Sequence, residues 1–175
     1  MRSLTDHLSS YAAYHRDRRN IATHFVGIPM IVLGVAALLS RPAVAVAGVA
    51  VSPALVITAG AIAFYLALDR RLGAVMAAFM ALAVWAGAEI AALATGTWLA
   101  VGGGLFVAGW AIQFVGHVFE GRKPAFVDDL IGLLVGPLFI VAEAGFALGL
   151  RGELREAIES RVGPTRSGRE QLAAR

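Results

Sequence analysis

Long apolar runs separated by short polar clusters dominate this chain. Between Ile21 and Leu68 the only Asp, Glu, Lys or Arg is Arg41, and between Leu72 and Phe119 it is Glu89. A helix that crosses a bilayer needs about 20 mostly apolar residues, and these runs supply that length several times over. Turn signals at Ser40–Arg41–Pro42, Asp69–Arg70–Arg71 and Thr95–Gly96–Thr97 divide them into four predicted spans, residues 21–39, 43–68, 72–94 and 98–119. Gly27 and Pro29 disturb the start of the first, and Ser52–Pro53 predicts a kink in the second. A further apolar segment, 127–150, carries Gly136–Pro137 together with Asp128, Asp129 and Glu143.

The ends are polar. Residues 1–20 place Leu4, Leu8, Tyr11 and Ala12 at helical spacing, the pattern of a short interfacial helix, with Asp6 or Thr5 as its cap. They lack a signal-peptide core, so a retained N-terminus is expected. The tail, 151–175, is charged; residues 152–161 suit a short helix, and the end is expected to be disordered. The chain thus reads as one helical membrane domain, 1–150, followed by a tail.

Charge placement gives an orientation. Arg16, Arg18 and Arg19, then Arg70 and Arg71, then Arg122 and Lys123, and finally the tail all lie beside apolar segments. With four spans, every basic cluster falls on one side, so both termini are expected to be cytoplasmic. A fifth span would move the Arg-rich tail across, so 127–150 reads as a re-entrant hairpin bent at Gly136–Pro137. The expected fold is an all-α integral membrane bundle of about four spans, with an interfacial N-terminal helix and this hairpin.

Composition adds two exclusions. The chain of 175 residues is 58% hydrophobic with no cysteine, which removes disulfides, thiolate metal sites and Cys nucleophiles. The pI of about 9.9 suits anionic lipid headgroups, since the cations flank apolar segments, and nucleic acid is not an expected partner. P-loop, G-x-S-x-G and dinucleotide-binding signatures are absent from the sequence, and Gly102–Gly104 lies in an apolar helix, where it serves packing.

None of the four histidines, His7, His15, His24 and His117, lies in the middle of an apolar segment. His15 and His24 flank the start of the first span and His117 closes the fourth. An even number of spans brings those two ends to one membrane face. Gln113, His117 and Glu120 stand at i, i+4 and i+7, sharing one helical face. Three imidazoles with a neighbouring carboxylate can hold iron, zinc, copper or nickel. The competing reading is that interfacial histidines only bond headgroups or backbone; His7 in particular reads as a solvated helix residue. Glu143 lies on the segment folded back toward the histidine face, whereas Glu89 reads as lying near the opposite interface. Asp128 and Asp129 read first as helix caps.

The stretch from Tyr11 through Tyr14, His15, Asn20, His24 and Gly27 to Pro29 resembles the N-terminal signature of the 2-hydroxy fatty acid dioxygenase family. Gln113, Gly116, His117, Phe119, Glu120, Arg122 and Pro124 resemble its second signature, and Gly136–Pro137, Phe139 and Glu143 its third. The order is the expected one over about Tyr11 to Leu150, leaving the tail outside. The resemblance implies a membrane dioxygenase that uses Fe(2+) and O2 to shorten 2-hydroxy fatty acids by one carbon in α-oxidation. It implies His15, His24 and His117 as metal ligands, and Glu120, Glu143 and Asn20 are the candidate catalytic residues beside them. Arg122 and Lys123 would receive the substrate carboxylate, and Gln113 would line the same place. The expected location is the bacterial inner membrane, or the endoplasmic reticulum in a eukaryote. Two other classes remain: a small transporter or channel with Glu89, Glu143 and Gln113 along its path, and a non-catalytic membrane scaffold.

Overall fold

The structure is a computed structural model that describes residues 2–166; the disorder expected at the end of the tail lies outside the described residues. The chain divides into two compact units, Met1–Val26 with Ala111–Arg175, and Gly27–Trp110.

The first unit begins with helix α1, Leu4–Ala12. Ser3 caps it: the Ser3 hydroxyl accepts from the Asp6 N–H, and the Asp6 carboxylate accepts from the Ser3 N–H, a reciprocal capping box. The cap is therefore Ser3, with Asp6 as its partner. Helix α1 ends before His15, so residues 1–20 are not one helix. Asp17 starts α2, Arg18–Ser40, by accepting from the Arg19 N–H at 2.8 Å. Leu8, Tyr11 and Ala12 of α1 are buried, and this helix packs on α6, Gly132–Ala147, and on α7, Gly152–Val162. Asp6 also pairs with Arg161 of α7 at 2.8 Å.

Helix α6 runs through Gly136–Pro137 without a break. The change of direction comes later, as a 115° bend between α6 and α7, where Gly149 and Arg151 both have positive φ. Gly136 and Pro137 are instead buried within α6. A hairpin bent at the Gly-Pro pair is thus replaced by a longer helix turned at a left-handed pair of residues. Asp128 and Asp129 do not provide the main cap of α6. Asp128 accepts from the Tyr14 hydroxyl at 2.7 Å and pairs with Lys123. Asp129 accepts from the Ile131 N–H and pairs with Arg2.

The second unit holds the rest of α2, a β-hairpin, helix α3 at Pro53–Leu68, helix α4 at Arg70–Ala91 and most of α5 at Thr95–Glu120. The expected span over 43–68 is not one helix. Val44–Val46 (β1) and Val49–Val51 (β2) pair antiparallel, Val44 with Val51 and Val46 with Val49. The two loop residues have φ of 48° at Ala47 and 81° at Gly48, as a two-residue primed turn requires. Valine at every second position supplies the β-branched alternation of a strand. Ser52 then caps α3 with Pro53 in the first turn, so α3 has only 16 residues. Asp69 alone separates α3 from α4, capping the latter through the Arg71 and Leu72 N–H groups. Pro29 is accommodated inside α2. Glycines allow close approach: a Cβ on Gly109 would stand 2.8 Å from the Gly27 carbonyl oxygen, and one on Gly34 2.8 Å from that of Gly102.

Helices α2, α4 and α5 are long and apolar enough to cross a membrane, and α6 with α7 makes a fourth crossing if the bent pair counts as one. Apart from the hairpin, the described residues form an all-α membrane protein.

Candidate metal centre

Every predicted histidine ligand lies in the first unit. His15 sits in the turn between α1 and α2, His24 on the second turn of α2, and His117 in the last turn of α5. All three are buried, His15 and His24 completely. One nitrogen from each lies within 4.8 Å of the others. His7 does not join them.

The rings are held from outside. His15 Nδ1 is 2.7 Å from the Tyr11 carbonyl oxygen and His24 Nδ1 is 2.8 Å from that of Asn20. A carbonyl only accepts, so Nδ1 of each ring carries the proton. The Nε2 atoms are then both lone-pair acceptors, yet they face each other at 3.1 Å. Burial, then the neighbouring His24, hold the His15 imidazole well below its ordinary pKa, so a proton shared between the rings is disfavoured. A metal cation would resolve the conflict. Two nitrogens 3.1 Å apart could both lie within ligand distance of one ion, about 2.1 Å from each. His117 Nδ1 is buried with no hydrogen-bond partner, a cost that a cation would also remove. The donor set therefore fits a divalent metal. The Tyr11 ring stacks on His15 at 4.1 Å and 5°, and Phe139 packs against both Tyr11 and His15, so the cluster has dry aromatic walls.

Glu120 anchors the turn that carries His15. Its Oε2 accepts from the Arg16 N–H at 2.9 Å, the Asp17 N–H at 2.8 Å and the Asn20 amide at 3.1 Å. The carboxylate thus sits at the N-terminus of α2, where the helix dipole favours negative charge. Asn20 links the two layers: its side chain reaches Glu120 and its carbonyl oxygen holds His24. Gly116 makes this possible, since a Cβ there would fall 2.0 Å from Thr23 Oγ1 and 2.5 Å from Asn20 Oδ1. Gln113 is buried one turn before His117 on the same face of α5.

The remaining candidates lie further out. Glu143 sits 3.7 Å from the buried Arg16 guanidinium. Arg122 is exposed and donates to the Ala13 carbonyl at 2.9 Å, while Lys123 is paired with Asp128. Glu89 is exposed on α4 in the other unit, so the polar path that a transporter needs gains no support.

Arg16 and Asp17 take part in the site although they read as ordinary interfacial charges in the sequence. Arg16 is 4% exposed and donates to the Ala12, His15 and Gly163 carbonyls; Asp17 is fully buried and holds Arg19. The available signal was their position between two candidate ligands, His15 and His24. A cavity of about 210 Å³ lies between α1 and the start of α6, lined by His7, Tyr11, Tyr14, Asp128 and Val135 among others. Tyr11 therefore touches both this cavity and His15.

The chain is similar to the 2-hydroxy-palmitic acid dioxygenase MPO1 of Saccharomyces cerevisiae, 48% identical over 58 residues, which are 32% of this chain and 33% of that protein. The match thus spans about a third of the yeast protein's length. No solved structure matches. The model of one family covers residues 1–148, and on that coverage the chain belongs to the 2-hydroxy-palmitic acid dioxygenase Mpo1-like family.

Proposed function

We propose that this protein is a membrane dioxygenase that uses iron(II) and O2 to shorten 2-hydroxy fatty acids by one carbon. The observation that carries the reading is the pair of Nε2 lone pairs facing each other at 3.1 Å beside the orphaned Nδ1 of His117. Such a cluster is poised for a cation, and the family name supplies the class of substrate. His15, His24 and His117 would hold the metal, a small ligand set of the kind that non-haem iron oxygenases use. Bound iron(II) supplies the electron-transfer chemistry that allows O2 to react with a closed-shell organic acid. The overall conversion balances with one O2: the 2-hydroxy acid becomes the acid one carbon shorter, with carbon dioxide and water, so no external reductant is needed.

The chain's own groups do the rest. The Tyr11 and Asn20 carbonyls fix the tautomers of His15 and His24 and so keep Nε2 of each available. Tyr11 and Phe139 exclude water from the His15 side. Arg122, just past the end of α5, offers a guanidinium to the substrate carboxylate, and Gln113 offers an amide near its hydroxyl. The acyl chain stays in the apolar phase beside the helices. Glu143 and Lys123 act at a distance, through the ion pairs they make with Arg16 and Asp128.

The test is anaerobic loading with iron(II), addition of O2 and 2-hydroxypalmitate, and mass analysis. A product one carbon shorter, lost together with iron binding in His117→Ala, is the expected result. Turnover retained in that variant overturns the metal assignment.

A further inference from the structure

The segment that follows α7 lies beyond residues 1–148, over which the family model matches, yet it reaches the metal centre's supporting layer. Gly163 has φ 82°, which turns the chain back toward the start of α2. There Arg166 forms a one-residue parallel bridge with Asp17. Its N–H donates to the Arg16 carbonyl at 2.7 Å, and its carbonyl accepts from the Arg18 N–H at 3.1 Å. The Arg18 N–H is one of the donors that a helix start leaves without an intrahelical partner. Arg16 returns the contact by donating to the Gly163 carbonyl at 3.1 Å.

The side chain of Arg166 adds a second link. The Glu120 side chain is fully buried, and its Oε2 is surrounded by three N–H donors, whereas Oε1 meets the Arg166 guanidinium at 3.5 Å. A buried carboxylate without a cation nearby is costly, and partners that orient a metal's ligands are worth about 10–100-fold in metal affinity; Glu120 reaches the His15 turn through the N–H groups of Arg16 and Asp17.

We infer that Gly163–Arg166 is a strap that locks the His15 turn, with Arg166 as a positioning residue acting through Glu120 and through its own backbone. This rests on the metal reading above only for its effect on affinity; the ordering of the turn stands apart from it.

The experiment compares the full chain with Arg166→Ala, Arg166→Lys and Arg166→Pro. The alanine variant removes the guanidinium and keeps the bridge; proline also removes the N–H donated to Arg16. Two quantities are read: cobalt(II) affinity with its visible ligand-field spectrum, and amide exchange at residues 16–18 in metal-free protein. The expected result is about tenfold weaker cobalt binding and an altered spectrum in Arg166→Ala, largely restored by lysine. Faster exchange at residues 16–18 is expected in Arg166→Pro, with an unchanged rate in the core of α6. Parent-like affinity and exchange in both the alanine and proline variants overturn the strap. A parent chain that binds no metal overturns the metal reading instead, and the exchange rates in Arg166→Pro then decide the strap by themselves.

Discussion

At the scale of single residues, the centre depends on one absent side chain as much as on the three imidazoles. Gly116 lets the Asn20 region of α2 lie against α5, and the contacts its Cβ would make, 2.0 Å and 2.5 Å, are with the very layer that holds Glu120 and His24. Neither atom can move away freely: Thr23 Oγ1 donates to the Asn20 carbonyl at 2.7 Å, and Asn20 is fully buried. Gly116→Ala is therefore expected to cost about 1–3 kcal/mol in stability, as overpacking does, and to weaken metal binding. A thermal unfolding scan and a metal titration of the same sample check both. Gly109→Ala gives the comparison, since its clash involves Gly27 and Ile31 in the other unit; it is expected to lower stability with a smaller effect on metal affinity. The histidines themselves were legible in the sequence because a polar residue at the edge of an apolar run stands out. Arg16 and Asp17 were not, because charge beside a membrane segment is common. Only the fold shows that they are buried.

At the scale of elements, α1 is a short helix whose position depends on its two ends. Ser3 and Asp6 close its start, Asp6 ties it to α7, and its last turns deliver Tyr11 to the face of His15. Ser3→Ala is expected to cost about 1 kcal/mol, the usual value of a lost cap. The Arg161 hydrogen bond, then the Ser3 backbone, hold the Asp6 carboxyl below the ordinary carboxylate range. A depressed carboxyl pKa stabilises the fold above the unfolded value and loses that contribution as pH falls. The stability difference between parent and Asp6→Asn should accordingly be present at neutral pH and fade below about pH 4. Denaturation midpoints of the two proteins across that range measure it. Two elements differed from their sequence reading for identifiable reasons. Residues 44–51 are apolar enough to count toward a span, but their period is two, and a hydropathy average ignores period. Gly136–Pro137 is a turn signal in water. Inside α6 both residues are buried among apolar neighbours, so the helix persists and the turn passes to Gly149 and Arg151.

At the scale of the whole molecule, the histidine cluster constrains how the chain crosses the membrane. The N-terminal end of α2 and the C-terminal end of α5 meet at the site, and their other ends meet where Trp98 donates to the Ala37 carbonyl at 2.9 Å. Everything between Ser40 and Thr95 must return to the side it left. Helix α4 is long enough to cross, and a crossing by α4 requires a counterpart in α3, although its 16 residues extend only about 24 Å at 1.5 Å per residue. That is short of a hydrocarbon core of about 30 Å, and the hairpin that directly precedes α3 has Val44 and Val46 exposed. The chain has no cysteine, so single cysteines report cleanly. A cysteine at Gly48 and one at Asp69 are expected to react with an impermeant thiol reagent from opposite faces of sealed vesicles. Labelling of both from one face would show that α3 does not cross. The length of the second crossing expected over 43–68 was overestimated, since α3 has 16 residues.

The bond between Asn20 and Glu120 joins residues 100 positions apart, and that separation sets a clock. Ribosomes add about 5–20 residues each second, so His15 and His24 emerge roughly 5–20 s before the segment bearing His117 and Glu120. During that interval the nascent N-terminus presents His15 and His24, with His7 ahead of them, but not the third member of the buried cluster. On the proposed metal reading, the complete set of three imidazoles exists only once residues 117–120 have been made.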